Sequence, residues 1–437
     1  MTLEVDKFYT KHSYRGFSFM GVKNWKRLCY FVCVSFFLYF PCEIFCETTL
    51  SFDEAVSKTL SLSPKLRIAN SEINGKAGAQ TQSRLYPNPV AGYSVENVFG
   101  NKNWQGWEAA ESRYEIAQLV ELGGKRGFRY QTARFQFYAA QAGFEAKQLF
   151  LLNRLLKLFT LVVASQENLA LAVDQTKVAE EVYKTVTAKV EAGKVSLIQQ
   201  NKAEIALSTA QINLEKAKAD FSKNKERLSI LWGYSCPDFD RVSFPFYEIN
   251  LPIPFEECLS DLRGNPELLR SQMEHLAAHQ NLNLEKSLAI PDVTVILGYK
   301  TLQDTGNKGL ILGASIPIPL FNQNQGNVQR ARAQTLKAHD QYIELELALE
   351  NKLSIAHKEL VRAYNEAERI RSTVLKAAFQ SFELAQEGYK EGKFEYLDML
   401  DSQKTLFEVR ERYIQAVLNY HKSIADIEYL NTQEDGL

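Results

Sequence analysis

The sequence predicts a mainly α fold with a small β part, made of duplicated long α-helical hairpins plus four β-strands per chain. Three observations predict it. Residues 326–387 contain no proline and no internal glycine, and 127–192 contain no proline and Gly143 as the only internal glycine. At 1.5 Å rise, roughly 65 such residues make a rod on the order of 100 Å long, far beyond the usual helix. The order of breaks then repeats at an offset of roughly 200 residues: Pro64 with Pro266, Pro87 with Pro291, Gly193 with Gly392. Finally, each half carries two short alternating segments between a proline break and its long rod.

Taken in order, the chain opens with Lys23, Lys26 and Arg27 before an apolar run at 28–40, the arrangement of a signal peptide over 1–46. Met20 stands just ahead of these charges as a second possible start. Cleavage near Cys46 and lipidation at Cys42 or Cys46 are both open. The first repeat spans 47–232. It comprises a helix over 48–85 that Pro64 kinks or restarts, a β-hairpin over 90–122, a long helix over 125–192 and a return helix over 197–231. In its first strand Ala91, Tyr93 and Val95 alternate with Gly92, Ser94 and Glu96. Four prolines make 233–255 a linker or equatorial segment. The second repeat spans 256–430, with a helix, a β-hairpin over 292–318, a long helix over 326–391 and a return helix over 395–430; residues 431–437 are a short tail.

Composition narrows the function classes. A net charge of −1 with no block of like charge excludes a strongly basic nucleic-acid binder. Negative mean hydropathy, with Arg154 and Lys157 interrupting the apolar stretch 149–164, points to a helix buried in a bundle rather than a polytopic membrane protein. In an exported chain Cys236 and Cys258 could pair or remain free thiols.

The strands carry the strongest physical constraint. At about nine or ten residues each they match the span of a transmembrane β-strand. Four strands cannot close a barrel, and open edges in lipid leave backbone groups unpaired at high cost. A homotrimer closes about twelve strands, within the range of outer-membrane barrels. Leu310, Leu312, Ala314 and Ile316 share one strand face, and Trp104 and Trp107 suit an interfacial belt.

This pattern resembles the TolC-like outer-membrane efflux family over about residues 50–430, and within it the heavy-metal branch. The carriers are Pro87-Asn88-Pro89, Glu121-Leu122-Gly123-Gly124-Lys125-Arg126, the run Pro317 to Asn322 and the two tip motifs. The resemblance implies a trimeric tunnel in the cell outer membrane: a 12-stranded β-barrel in lipid and an α-barrel tube reaching into the periplasm. It also implies docking onto a periplasmic adaptor (membrane fusion) protein and an inner-membrane pump of the RND type. Asp398, Asp401 and Tyr389 match the family's periplasmic gate. Lys189, Gly193, Ser196 and Gly392 match its adaptor-docking tips, although Glu395 stands where Ser or Thr is common. The resemblance implies export of metal cations or small toxic compounds. A type I secretion exit duct and a periplasmic coiled-coil adaptor are the alternatives.

Other motifs carry less. Gly123 and Gly124 allow a tight strand-to-helix corner and lack the spacing of a phosphate loop. His275 and His279 have the i, i+4 spacing of a metal pair, but no third ligand is evident in the sequence, so no metal site is assigned. No nucleophile–base set or paired carboxylates point to an enzyme, and no cofactor or nucleic-acid partner is expected.

Overall fold

The computed structural model describes residues 48–104 and 106–431. The signal-peptide, Met20 and lipidation expectations lie outside the described residues.

The chain begins with β1 (Thr49–Ser51) and α1 (Phe52–Leu62), started by a reciprocal capping box between Ser51 and Glu54. Ser63 is forced into an extended conformation by the proline that follows, and Pro64 opens α2 (Pro64–Ser83) at its first helical position. The single helix expected over 48–85 is therefore a strand and two helices. The first long rod is α3 (Lys125–Glu191), 67 residues, with α4 (Leu197–Ser229) returning along it. The expected return helix to 231 ends earlier, in a 3₁₀ turn at 230–232 closed by Gly233. In the second half, α5 (Phe255–Asp261) and α6 (Pro266–Ser287) are separated at Asn265, whose side chain accepts from the Glu267 amide and caps α6. Helix α2 packs along α3, and α6 packs against both long rods.

The second long rod is not the unbroken helix expected over 326–391. It is α7 (Gln325–Arg369), a π turn at Ile370–Val374 and α8 (Leu375–Glu391), followed by α9 (Tyr396–Leu430). The buried positions explain the π turn. Leu349, Leu353, Ala356, Leu360, Ala363, Ala367 and Ile370 alternate spacings of three and four, a heptad stripe facing the bundle. Beyond the turn the buried side chains Ala378, Ala385 and Tyr389 lie one residue out of that register. A π turn accommodates one extra residue, so it rotates the apolar stripe back onto the bundle without breaking the rod.

Five more strands complete the fold: β2 (Val90–Glu96), β3 (Glu111–Val120), β4 (Arg241–Ser243), β5 (Val293–Leu302) and β6 (Lys308–Ser315). Strands β2, β3, β5 and β6 form one antiparallel sheet in that order. The hairpins of the two halves join through β3 and β5, in register from Glu111↔Leu302 to Val120↔Val293. One face aligns Tyr93, Tyr114, Tyr299 and Leu310 across the four strands, with Ile116, Leu297 and Leu312 beside them, and all are exposed. The other face carries Glu111, Arg113, Glu115 and Lys300, with Arg113 paired to Glu115 and Lys300 to Glu111. The strands end sooner than expected, β2 because Asn97 and Phe99 take positive φ, β6 two residues before Pro317.

Residues 233–255 are more than a linker. Strand β4 pairs in parallel with β1, Leu50 opposite Val242, and the segment buries Phe239, Val242 and Phe246 in the main core. That core gathers Leu155, Phe159, Val162 and Val163 of α3 with Trp232 and Val417, which accounts for the apolar stretch at 149–164. Phe52, Phe159 and Phe244 meet edge to face. Among the described residues Cys236 and Cys258 are free thiols, the first exposed and the second buried, so the disulfide alternative does not hold.

His421 sits in this core, stacked on Phe246 and donating from Nε2 to the Phe246 carbonyl at 2.7 Å. Burial lowers its pKa, and the hydrogen bond only partly opposes this. The unfolded chain therefore takes up this proton at a higher pH than the folded chain. Stability from His421 is full above about pH 6.5 and is lost as pH falls toward the folded pKa. The thermal midpoint in detergent should be level from pH 8 to about 6.5 and fall below it, and His421→Gln should make that decline shallower.

Candidate functional site at the hairpin tips

Both hairpins turn by the same backbone device. At the first tip Gly193 takes φ of 69°, its amide donates to the Val190 carbonyl and the Lys194 amide to the Lys189 carbonyl. At the second, Gly392 takes φ of 77°, its amide donates to Tyr389 and the Lys393 amide to Gly388. These paired bonds define the Schellman motif, and the left-handed conformation at its centre favours glycine.

The helices that leave the two tips start differently. Ser196 is the N-cap of α4, but its hydroxyl makes no capping bond and is exposed. Glu395 is the N-cap of α9 in a reciprocal box: its side chain accepts from the Asp398 amide, and the Asp398 carboxylate accepts from the Glu395 amide at 3.2 Å. The glutamate that departs from the expected Ser or Thr thus satisfies its own helix end.

Lys189 and Tyr389, expected in different roles, are in contact. The Lys189 ammonium lies 3.8 Å from the Tyr389 ring centre and donates to the Tyr389 carbonyl at 3.2 Å, tying one tip to the other. Tyr389 and Tyr396 are buried with Val186, Ala203, Ala385 and Met399, and neither hydroxyl has a hydrogen-bond partner. Burial raises both phenols, Tyr396 to about 12 with Tyr389 adding to its shift, so both stay neutral. Asp398 and Asp401 lie on the next turn of α9, both exposed and three residues apart. Gly193, Ser196 and Gly392 are exposed around the turns.

Sequence reasoning did not single out Tyr396, Met399 or Gly388. A Cβ on Gly388 would stand 2.2 Å from the Phe394 ring, so glycine there lets Phe394 fold back over the turn. The seven-residue step from Tyr389 to Tyr396 was the available signal.

The strand-to-helix corner at the other end is equally built. Gly123 and Gly124 take φ of 70° and 75°, and a Cβ on Gly123 would meet Ile290 at 2.8 Å. Lys125, which follows them, is buried and donates to Asp292 and to the Ile290 carbonyl, both at 2.6 Å. Burial alone would raise the Asp292 carboxyl, but Lys125 and the Leu122 amide hold it below its usual range. Arg129 makes a bidentate pair with Glu121. In the second half Asn324 replaces the glycine, with φ of 59° and its amide bound to Glu285.

Comparison with known proteins supports a reading for these parts. The profile of the family described as outer membrane efflux protein matches residues 72–234 and 260–430, once in each half. The chain is 30% identical over 369 residues to the cobalt-zinc-cadmium resistance protein CzcC of Cupriavidus metallidurans, covering 84% of this chain and 86% of that one. It is 22% identical over 405 residues to the cation efflux system protein CusC of Escherichia coli O157:H7, covering 85% and 83%. The CmeC outer membrane channel of Campylobacter jejuni shares the fold, with a TM-score of 0.73 at 16% identity over 87% of this chain and 85% of that one.

Removing the Lys189 ammonium should loosen the tips without unfolding the rods. A cation over a ring contributes about 1 kcal/mol, so Lys189→Ala should speed amide exchange across 385–400 roughly fivefold. The global thermal midpoint should stay within about a degree of the parent.

Proposed function

The chain belongs to the outer membrane efflux protein family, and on that premise we propose that three copies close one tunnel for divalent metal cations. The protein is an outer-membrane efflux channel with a barrel in lipid and a helical tube extending into the periplasm. The observation that carries the trimer is the sheet. Its exposed apolar face suits lipid, while β2 and β6 are edges with no partner among the described residues. Three four-stranded sheets joined edge to edge make a barrel of about twelve strands, with Glu111, Arg113, Glu115 and Lys300 lining the water-filled side.

The cargo reading rests on the named relatives, a cobalt-zinc-cadmium resistance protein and a cation efflux protein, and on the tip charges. Threefold symmetry would bring Asp398 and Asp401 into two acidic rings about one helical turn apart, which favour cations at a narrow mouth. Tyr389, held by Lys189, fixes the position of the helix end beside them. Gly193, Ser196 and Gly392 are the exposed surface for a periplasmic adaptor, which links the tunnel to an inner-membrane pump of the RND type. Lys189 is engaged with Tyr389, so its part in docking is to hold the tips together.

Crosslinking of the native protein in mild detergent should give trimers; monomers and dimers alone would contradict the assembly. Leu312→Arg, on the lipid face, should cost about 2–4 kcal/mol of membrane stability, whereas Ser315→Arg, on the opposite face, should assemble normally. Asp398→Asn with Asp401→Asn keeps an acceptor for the Glu395 amide and removes only charge. In planar bilayers the double variant should lose cation selectivity and bind blocking divalent cations less tightly, with unchanged trimer yield. Unaltered single-channel selectivity would return both aspartates to a solvated helix face.

A further inference from the structure

The sequence left His275 and His279 without a third partner, and the fold brings a different histidine to the first of them. Helices α6 and α7 run side by side, joined where the Thr335 hydroxyl donates to the Ala278 carbonyl. This places His339 of α7 against His275 of α6, with ring centres 5.4 Å apart and the planes tilted by 48°. Two imidazoles bound to one metal through nitrogens at about 2.1 Å have ring centres roughly 5 Å apart. The rings are thus already at the separation a shared metal requires.

A second observation points to a missing ligand. The Nδ1 atom of His275 is buried and has no hydrogen-bond partner. A buried polar atom left unpaired is costly, and structures rarely tolerate one without cause. The other paired histidines behave differently: His357 is bonded to the Ile253 carbonyl and His421 to the Phe246 carbonyl. The nearest carboxylate in sequence, Glu274, faces Arg270 at 3.7 Å. His339 is exposed, so the pair is open to solvent on one side.

We propose that His275 and His339 form a two-histidine site for a divalent transition-metal ion, bridging α6 and α7, with water completing the coordination. Imidazole nitrogens select zinc, copper, nickel and cobalt over calcium and magnesium, whose preferred ligands are oxygens. Among the described residues no group of three or more His, Cys, Asp and Glu is gathered for a metal. A two-ligand site completed by water binds weakly and reversibly, unlike a structural centre with four protein ligands. His279, one turn along α6, is exposed and takes no part. The assignment goes beyond the cargo reading and does not depend on it, because it concerns binding to the channel wall.

The test is nickel or zinc binding to the full-length channel purified in detergent, followed by titration calorimetry and by the metal-dependent rise in thermal midpoint. The parent should show one saturable site per chain. His275→Gln and His339→Ala should each weaken binding roughly tenfold or more and abolish the rise, while His279→Ala should match the parent. His339 is exposed, so His339→Ala tests the site with an unaltered core, and its metal-free midpoint should equal the parent's. Absence of saturable binding in the parent, or binding that survives His339→Ala, would overturn the proposal. Loss on His279→Ala with retention on His339→Ala would place the ion on α6 alone and also overturn it. Failure of metal export with this binding intact would count against the cargo reading and leave the site standing.

Discussion

A backbone amide in hydrocarbon has no water to fall back on, and that constraint shapes this molecule from one end to the other. Among the described residues, one chain supplies four strands to this sheet and leaves the outer edges of β2 and β6 unpaired. The pairing of β3 with β5 shows how strictly the rule is kept inside the chain, since it welds the hairpins of two separate halves into one continuous sheet. Everything below the sheet follows from holding that weld in place. The Lys125–Asp292 pair bridges the end of the first hairpin to the start of the second, and the paired glycines let α3 leave the sheet directly beneath it. A long rod can then transmit the position of a strand to a tip on the order of 100 Å away, because a helix satisfies its own backbone along its whole length.

Much of this was written in residues whose physics is local. Proline marked the start of α2 and of α6, glycine marked both tips, and alternation marked the four strands. Those signals need no partner to be read. Most of the features that sequence reasoning missed depend on a distant residue. The π turn at Ile370–Val374 answers the register of a facing stripe, which no proline or glycine announces. Strand β1 is three residues long and exists because β4 lies beside it. The Lys189–Tyr389 contact joins residues 200 apart in the chain. His339 has no motif of its own, and only the pairing of α6 with α7 gives it a neighbour.

The candidate site shows the same division. The positions of Gly193 and Gly392 were legible, because a sharp helix reversal needs a left-handed residue. The exposure of Asp398 and Asp401 also agrees with their spacing on one helix face. The second task of Asp398 was hidden, since a carboxylate three residues into a helix reads as a charge until the N-cap amide is seen to donate to it. Glu395, which looked like a departure from the expected pattern, is the other half of that arrangement.

The two tips therefore differ in a way their shared Schellman geometry conceals. In a threefold assembly six turns of nearly identical backbone would ring the mouth, a pseudo-sixfold surface. Its chemistry would be only threefold. Every turn built from α3 and α4 would offer a bare Ser196 hydroxyl, and every turn built from α8 and α9 would present a helix end already closed by Glu395 and Asp398. A sixfold ring set against this mouth would find adhesive and inert positions in strict alternation. Its identical subunits would be sorted into two unequal classes by one serine and one glutamate.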